Sequence, residues 1–408
     1  MISKLVKNAG ALYLLQGVNV LAPFMVIPFL TRMLSVNQFG IVMIAFAVLQ
    51  ICFVITDYGF SLSATYEISE KGNDVRGINE VLGDVFTAKI PLIIVALILL
   101  LLLTLHPSYS GYKEIFYAGI IAVIVQAFQP LWFFHGIQKM FFYSVYMSLS
   151  KIIYVLLVLL LVRGGGDGWL VIMSWSIANL CGMAVALASI SHLGYSIKLS
   201  SVGKAIKLLK DGSQFFWSRV GVASYTAAAS LLVGMSSLHQ AAMYSASEQI
   251  YKGSQAFTTP VNQALYPYMA KEKNWNFFFK VIFLITILLA MGACVVGFFG
   301  GEIIFIVFGE GYEEAEPILM VFLLIGIVNY LASSFGYPAS AALGRVDIAN
   351  KTVIFGALFF IVMALIMKFN DYITGYSIVI LILCTELIVM ALRIFLVMSS
   401  RSKNNVGK

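Results

Sequence analysis

The chain has 408 residues, 61% of them hydrophobic and only 11% charged, with a formal net charge of +7. A water-soluble domain of this size needs a polar surface, so this composition excludes a soluble enzyme and implies a polytopic membrane protein. Cys52, Cys181, Cys294 and Cys384 fall in separate apolar runs without a CxxC pair and read as small buried hydrophobes, not a disulfide or metal framework. Walker A, GxSxG and HExxH motifs are absent, and no cofactor is expected.

A run of about 20 apolar residues crosses the hydrocarbon core. By that criterion twelve spans are expected, at 9–31, 40–65, 88–105, 114–135, 143–162, 169–191, 214–236, 241–268, 277–299, 317–340, 352–367 and 374–397. The first is too long for the apolar region of a signal peptide and reads as a true span. The spans at 214–236 and 241–268 are the least hydrophobic. With the amino terminus in the cytoplasm, sixteen basic residues fall on inner loops and four on outer ones: Arg32, Lys113, Arg163 and Lys368. This bias predicts both termini on the cytoplasmic side. The outer stretch 300–316 carries five glutamates and fits no cation-loop template, so it reads as a solvated acidic turn. The inner connection 193–214 contains a basic amphipathic segment, 202–210, expected to lie on the anionic inner leaflet as the hinge between two halves.

Those halves, 1–200 and 201–408, have the signs of a parallel repeat, six spans each. A shift of 202 brings Gly10 onto Gly212, Ser35 onto Ser237, Gln38 onto Gln240 and Gln50 onto Lys252. Two lobes with facing polar surfaces would enclose a central cavity.

Within the span 241–268, Glu248, Lys252, Gln255, Thr259 and Asn262 step by four, three, four and three, so they share one helical face. A charge at mid-bilayer costs about 2.5–3.5 kcal/mol on insertion scales, which turns such a stripe away from lipid. It is expected to line the path of a polar, anionic cargo, with mutual neutralisation of Glu248 and Lys252 in a packed interface as the plainer alternative. Gln50 and Asp57 supply the matching face of the other half, and Gln16 and Asn19 add to it from the first span. Arg219 either faces the cavity or snorkels to the inner headgroups. Bases suit a phosphate-bearing cargo, and neutral amides suit sugar hydroxyls. Asp57 is expected as a partner of Lys151 or a proton carrier. Glu386 and Arg393, on one face of the last span, read as a structural tie.

Four stretches resemble a known family: Pro28–Arg32 with Gln38-Phe39-Gly40; Thr56–Phe60 with 61–65; Pro130–Met140, containing Trp132-Phe133-Phe134-His135-Gly136; and Phe308-Gly309-Glu310 through Leu319. They resemble the multidrug/oligosaccharidyl-lipid/polysaccharide (MOP) exporter superfamily, and within it the O-antigen flippases of the Wzx type. The resemblance implies an all-α, MATE-like fold in the bacterial inner membrane and no enzymatic activity. The implied cargo is an undecaprenyl-diphosphate-linked oligosaccharide moved to the periplasmic leaflet by alternating access. Implied partners are membrane lipids and the polymerase and chain-length machinery, with no nucleic acid. Trp132 and its phenylalanines also suit an interfacial aromatic belt, and the motif glycines suit tight turns. The rival readings are a cation-coupled drug exporter of the same fold, a polymerase or ligase, for which the outer loops are too short, and a lipid II flippase, which usually carries two more spans.

Overall fold

The computed structural model is helical throughout, with no strand among the described residues; in hydrocarbon a single helix can satisfy its own backbone. The structure describes residue 22 and residues 25–406, with the side chains of 211, 214, 215, 217–219, 221–226 and 403–406 outside that description. After a helical stretch at 25–33 come α1 (Val36–Asp57), α2 (Phe60–Lys71), α3 (Val75–Leu103), α4 (Lys113–Ala127), α5 (Leu131–Gly136), α6 (Met140–Leu161) and α7 (Gly168–His192). Then follow α8 (Val202–Ser236), α9 (Leu238–Glu272), α10 (Trp275–Phe298), α11 (Gly300–Phe308), α12 (Ala315–Phe335), α13 (Tyr337–Ala342), α14 (Asp347–Phe369) and α15 (Gly375–Val406).

Nine membrane-length apolar segments occur among the described residues. The expected spans at 214–236 and 241–268 fall in α8 and α9; α9 is not among the nine, and the described part of α8 contributes the shorter apolar segment Ala227–Ser236. Of the first expected span, Gln16 and Asn19 lie outside the described residues.

The chain divides into two compact units, Met1–Ala223 and Ser224–Lys408, with the division inside α8. The element order of the first recurs in the second. α1 with α2 corresponds to α9, and α3 to α10. The pair α4–α5 corresponds to α12–α13, α6 to α14 and α7 to α15. The register seen at 202 is carried by a pair of identical caps. Ser35 Oγ accepts from the Gln38 amide at 3.4 Å, and Ser237 Oγ accepts from the Gln240 amide at 3.4 Å; each supplies an acceptor to an otherwise unpaired first-turn donor. The copies differ at the middle of this helix. In the first, Tyr58 (φ 49°) and Gly59 (φ 88°) break α1 from α2; in the second, the equivalent Pro260 lies inside an unbroken α9.

The first unit's core corrects three expectations. Trp132, Phe133 and Phe134 are at most 1% exposed, so they form core and not an interfacial belt. They sit there because α5 docks closely on α2: a Cβ at Gly136 would meet Ile68 Cγ2 at 2.6 Å, and Thr65 Oγ1 donates to the Trp132 carbonyl at 3.0 Å. Gly136 thus serves close packing rather than a turn. The segment 202–210 is not a separate surface helix; it forms the first turns of α8. Ala205 is buried, and Leu208 and Leu209 pack against the same core as Phe133 and Tyr195. The cysteines also differ from expectation, since only Cys52 is buried.

The connection into α8 lies flat on α3. The Ser196 amide donates to Asn79 Oδ1 and the Ser200 amide to Thr87 Oγ1, each at 2.9 Å. This contact needs a residue without a side chain on α3, because a Cβ at Gly83 would stand 2.0 Å from the Lys198 carbonyl oxygen. Gly83→Val is expected to lift the connection from α3 and destabilise the first unit by about 1–3 kcal/mol, the usual cost of overpacking. A lower melting temperature in detergent, with faster proteolysis at 194–201, checks this; wild-type values in both assays would show that the contact is dispensable.

Candidate functional site

The polar stripe stands on α9 and continues across the second unit. Lys252 Nζ donates to Glu248 Oε2 at 2.8 Å, with the lysine side chain 50% exposed and the glutamate 14%. Gln255 Nε2 donates to the Tyr251 hydroxyl at 2.8 Å and reaches Asn329 Oδ1 of α12 at 3.4 Å. Asn329 Nδ2 in turn donates to Glu386 Oε1 of α15 at 3.2 Å, and Glu386 is buried. Two turns further along α9, Asn262 Oδ1 lies 2.8 Å from Ser334 Oγ. Thr259 is exposed. The stripe therefore has a packed edge, formed by Gln255 and Asn262 against α12, and an open edge that presents Lys252 and Thr259. The open edge offers an ammonium and a hydroxyl to a ligand. The packed edge holds the amides and a carboxylate in a connected row.

Arg393 is fully occupied. Its Nη1 and Nη2 donate to the carbonyls of Ala332 and Ala349 at 2.8 and 3.2 Å, and its Nε to Thr352 Oγ1 at 2.9 Å. It joins α15 to α12 and α14. Glu386, seven residues earlier, is joined through Asn329 to α12 and so also ties α15 to its neighbours.

In the first unit, Gln50 is exposed and Asp57 is half-buried. Asp57 Oδ2 accepts from Ser61 Oγ at 3.0 Å, a bond that crosses the break at Tyr58 and Gly59. Lys151 is partly buried on α6 and has no hydrogen bond or ion pair among the described residues. The side chain of Arg219 lies outside the described ones.

Sequence reasoning missed Asn329, the link of the polar row, and it missed Lys89. It is 3% exposed, donates Nζ to the Ala127 carbonyl, stands 5.9 Å from the Phe60 ring and lies within electrostatic reach of Asp57. The expected third span began at 88, which left Lys89 at its edge; α3 begins at Val75, so the lysine sits deep in the helix. The available signal was the amphipathic run before residue 88.

At the acidic turn, the amides of Glu313 and Gly311 donate to the Glu313 carboxylate and hold it below the usual carboxylate range. No group of three metal-ligating side chains occurs among the described residues.

A helical chain with a repeated element order and a row of acid, base and amide in membrane-length helices has the build of a transporter. Solved structures share the fold. A lipid II flippase, MurJ, in an inward closed conformation aligns with a TM-score of 0.70 at 14% identity, covering 95% of this chain and 87% of that one. An inward-facing MATE multidrug transporter of the MOP superfamily aligns with a TM-score of 0.61 at 13% identity, covering 96% and 95%. The chain belongs to the polysaccharide biosynthesis protein family, whose model matches residues 5–273. Two similar proteins are each named "Putative O-antigen transporter". That of Escherichia coli K12 is 27% identical over 339 residues, 81% of this chain and 82% of the relative. That of Shigella dysenteriae is 25% identical over 396 residues, 94% and 98%.

The two charged candidates differ in what their loss should do. Arg393→Ala removes three hydrogen bonds from a charged donor that join α15 to α12 and α14, where one such bond contributes about 1.5–3 kcal/mol. Lys252→Ala removes one half-exposed ion pair between neighbouring turns of a single helix, a contact that contributes under about 1 kcal/mol. Thermal unfolding in detergent should therefore show a large loss for Arg393→Ala and wild-type behaviour for Lys252→Ala. The reverse order would exchange their roles.

Proposed function

We propose that the protein is a flippase for a lipid-linked O-antigen repeat unit. It moves an undecaprenyl-diphosphate-linked oligosaccharide from the cytoplasmic to the periplasmic leaflet of the inner membrane by alternating access of its two halves, with both termini cytoplasmic. The observation that carries this reading is the open edge of the α9 stripe. There α9 presents the ammonium of Lys252 and, two turns further on the same face, the hydroxyl of Thr259, with the amides of Gln255 and Asn262 along the packed edge behind them. A diphosphate needs the cation and a saccharide needs the neutral groups. The names of the two bacterial relatives support the same cargo class. Gln50 and Asp57, with Gln16, Asn19 and Arg219, are proposed to complete the path, and the polymerase and chain-length machinery to receive the product.

Deleting the gene tests the reaction. The lipid-linked repeat unit is expected to accumulate in the inner leaflet. Normal flipping with loss of long chains alone would point to a polymerase, and altered drug susceptibility with normal O-antigen to a drug exporter. For the stripe, Lys252→Ala is expected to impair export, and Lys252→Arg to be partly tolerated because the charge remains. Full export by Lys252→Ala at normal expression would remove Lys252 from the path.

A further inference from the structure

On the face of α9 turned away from Glu248 and Lys252, the second unit has a cavity of about 390 Å³ between α9, α10 and α12. That volume lies within the range of small-ligand pockets, roughly 300–1,000 Å³. Its walls are Tyr251 and Phe257 of α9, Leu288 and Gly292 of α10, and Phe322 and Gly326 of α12. Two features make room. Gly326 brings α12 against α9, where a Cβ would meet Ser254 Oγ at 3.1 Å, and Gly292 faces open space with no atom within 4 Å of the position of a Cβ. α10 is anchored in the core at Phe278 and Ile282, while Leu288 at the cavity is exposed.

An apolar hollow at membrane depth excludes water and takes hydrocarbon. Bulk acyl chains gain little from entering it, since lipid is as apolar as its walls. A chain tethered beside it gains effective concentration. The structure supplies such a tether point. Between Lys252 and Phe257 the intervening face of α9 carries only Gly253 and Ala256, so a hydrocarbon chain attached to a group at Lys252 crosses small residues to reach the cavity. The Tyr251 ring, stacked on Phe322 at 5.3 Å, forms the wall, while its hydroxyl accepts from Gln255 of the stripe.

We infer that this cavity seats the proximal part of the polyisoprenoid chain of the transported lipid, while its diphosphate is held at Lys252. This assignment rests on the flippase reading and adds a hydrocarbon subsite to it. The cargo is then gripped from two sides of one helix.

The experiment uses the full chain in nanodiscs, with a benzophenone amino acid at Leu323, a further wall residue of the cavity on α12, and radiolabelled geranylgeranyl diphosphate as probe. Saturable labelling is expected, reduced about five-fold or more by Lys252→Ala as the tether is lost. Gly292→Trp and the smaller Gly292→Leu should abolish labelling by filling the cavity, and Gly292→Ala should preserve it. Melting temperatures matching wild type confirm that the filling variants are folded. Labelling that survives both filling variants, is undiminished by Lys252→Ala, or is competed equally by palmitoyl phosphatidylglycerol would overturn the assignment. This is a binding measurement. A failed leaflet assay in the deletion strain alongside saturable labelling would therefore reject the transport reading and leave the subsite standing.

Discussion

A carbonyl released inside a bilayer has no water to turn to, and this constraint explains the oddest charges in the chain. Each unit breaks a membrane-length segment before a six-residue helix, α4 before α5 and α12 before α13. Each break meets a buried basic side chain. Lys89 donates to Ala127, the last residue of α4. Arg393 donates to Ala332, in the last turn of α12, as a second donor beside the Gly336 amide, and its guanidinium lies against Gly336 at the break. A cation at a helix carboxy terminus complements the dipole. The bases come from different positions, α3 in one half and α15 in the other, so the two copies place a cation at this break by separate means.

This separates buried charges that hold the fold from those open to a ligand. Lys89 and Arg393 have acceptors within their own units. Lys252 has one carboxylate partner and half of its side chain exposed. The row from Gln255 through Asn329 to Glu386 then has a mechanical role. It ties α9 to α12 and α15, so a ligand at the open edge presses on a helix whose neighbours are already connected.

Much of this was legible in the sequence because hydropathy and the helical period report directly on span and face. The α9 stripe, the register of 202 and the polarity of α8 and α9 follow from residue spacing alone. What stayed hidden depended on contacts between distant segments. Lys89 looked like a residue at a helix edge because the polar first turns of α3 do not resemble membrane. Trp132 looked like a belt residue because aromatic character does not say which side of a helix faces protein. The Arg393 acceptors are backbone carbonyls, which no side-chain pattern reveals. The connection before α8 has loop composition, and only the missing side chain of Gly83 on α3 records that it is packed.

That packed connection bears on how the chain is made. Domains generally complete themselves in order of synthesis, amino-terminal first. The first unit is not finished when α7 leaves the ribosome, because Ser196, Ser200, Ala205, Leu208 and Leu209 still have to close over α3 and its neighbours. The opening turns of α8 are therefore the last piece of the amino-terminal unit as well as the way into the next. A nascent chain halted after His192 would expose the bare groove at Gly83 to the insertion machinery. One halted after Leu209 would have covered it before any residue of the second unit had been translated.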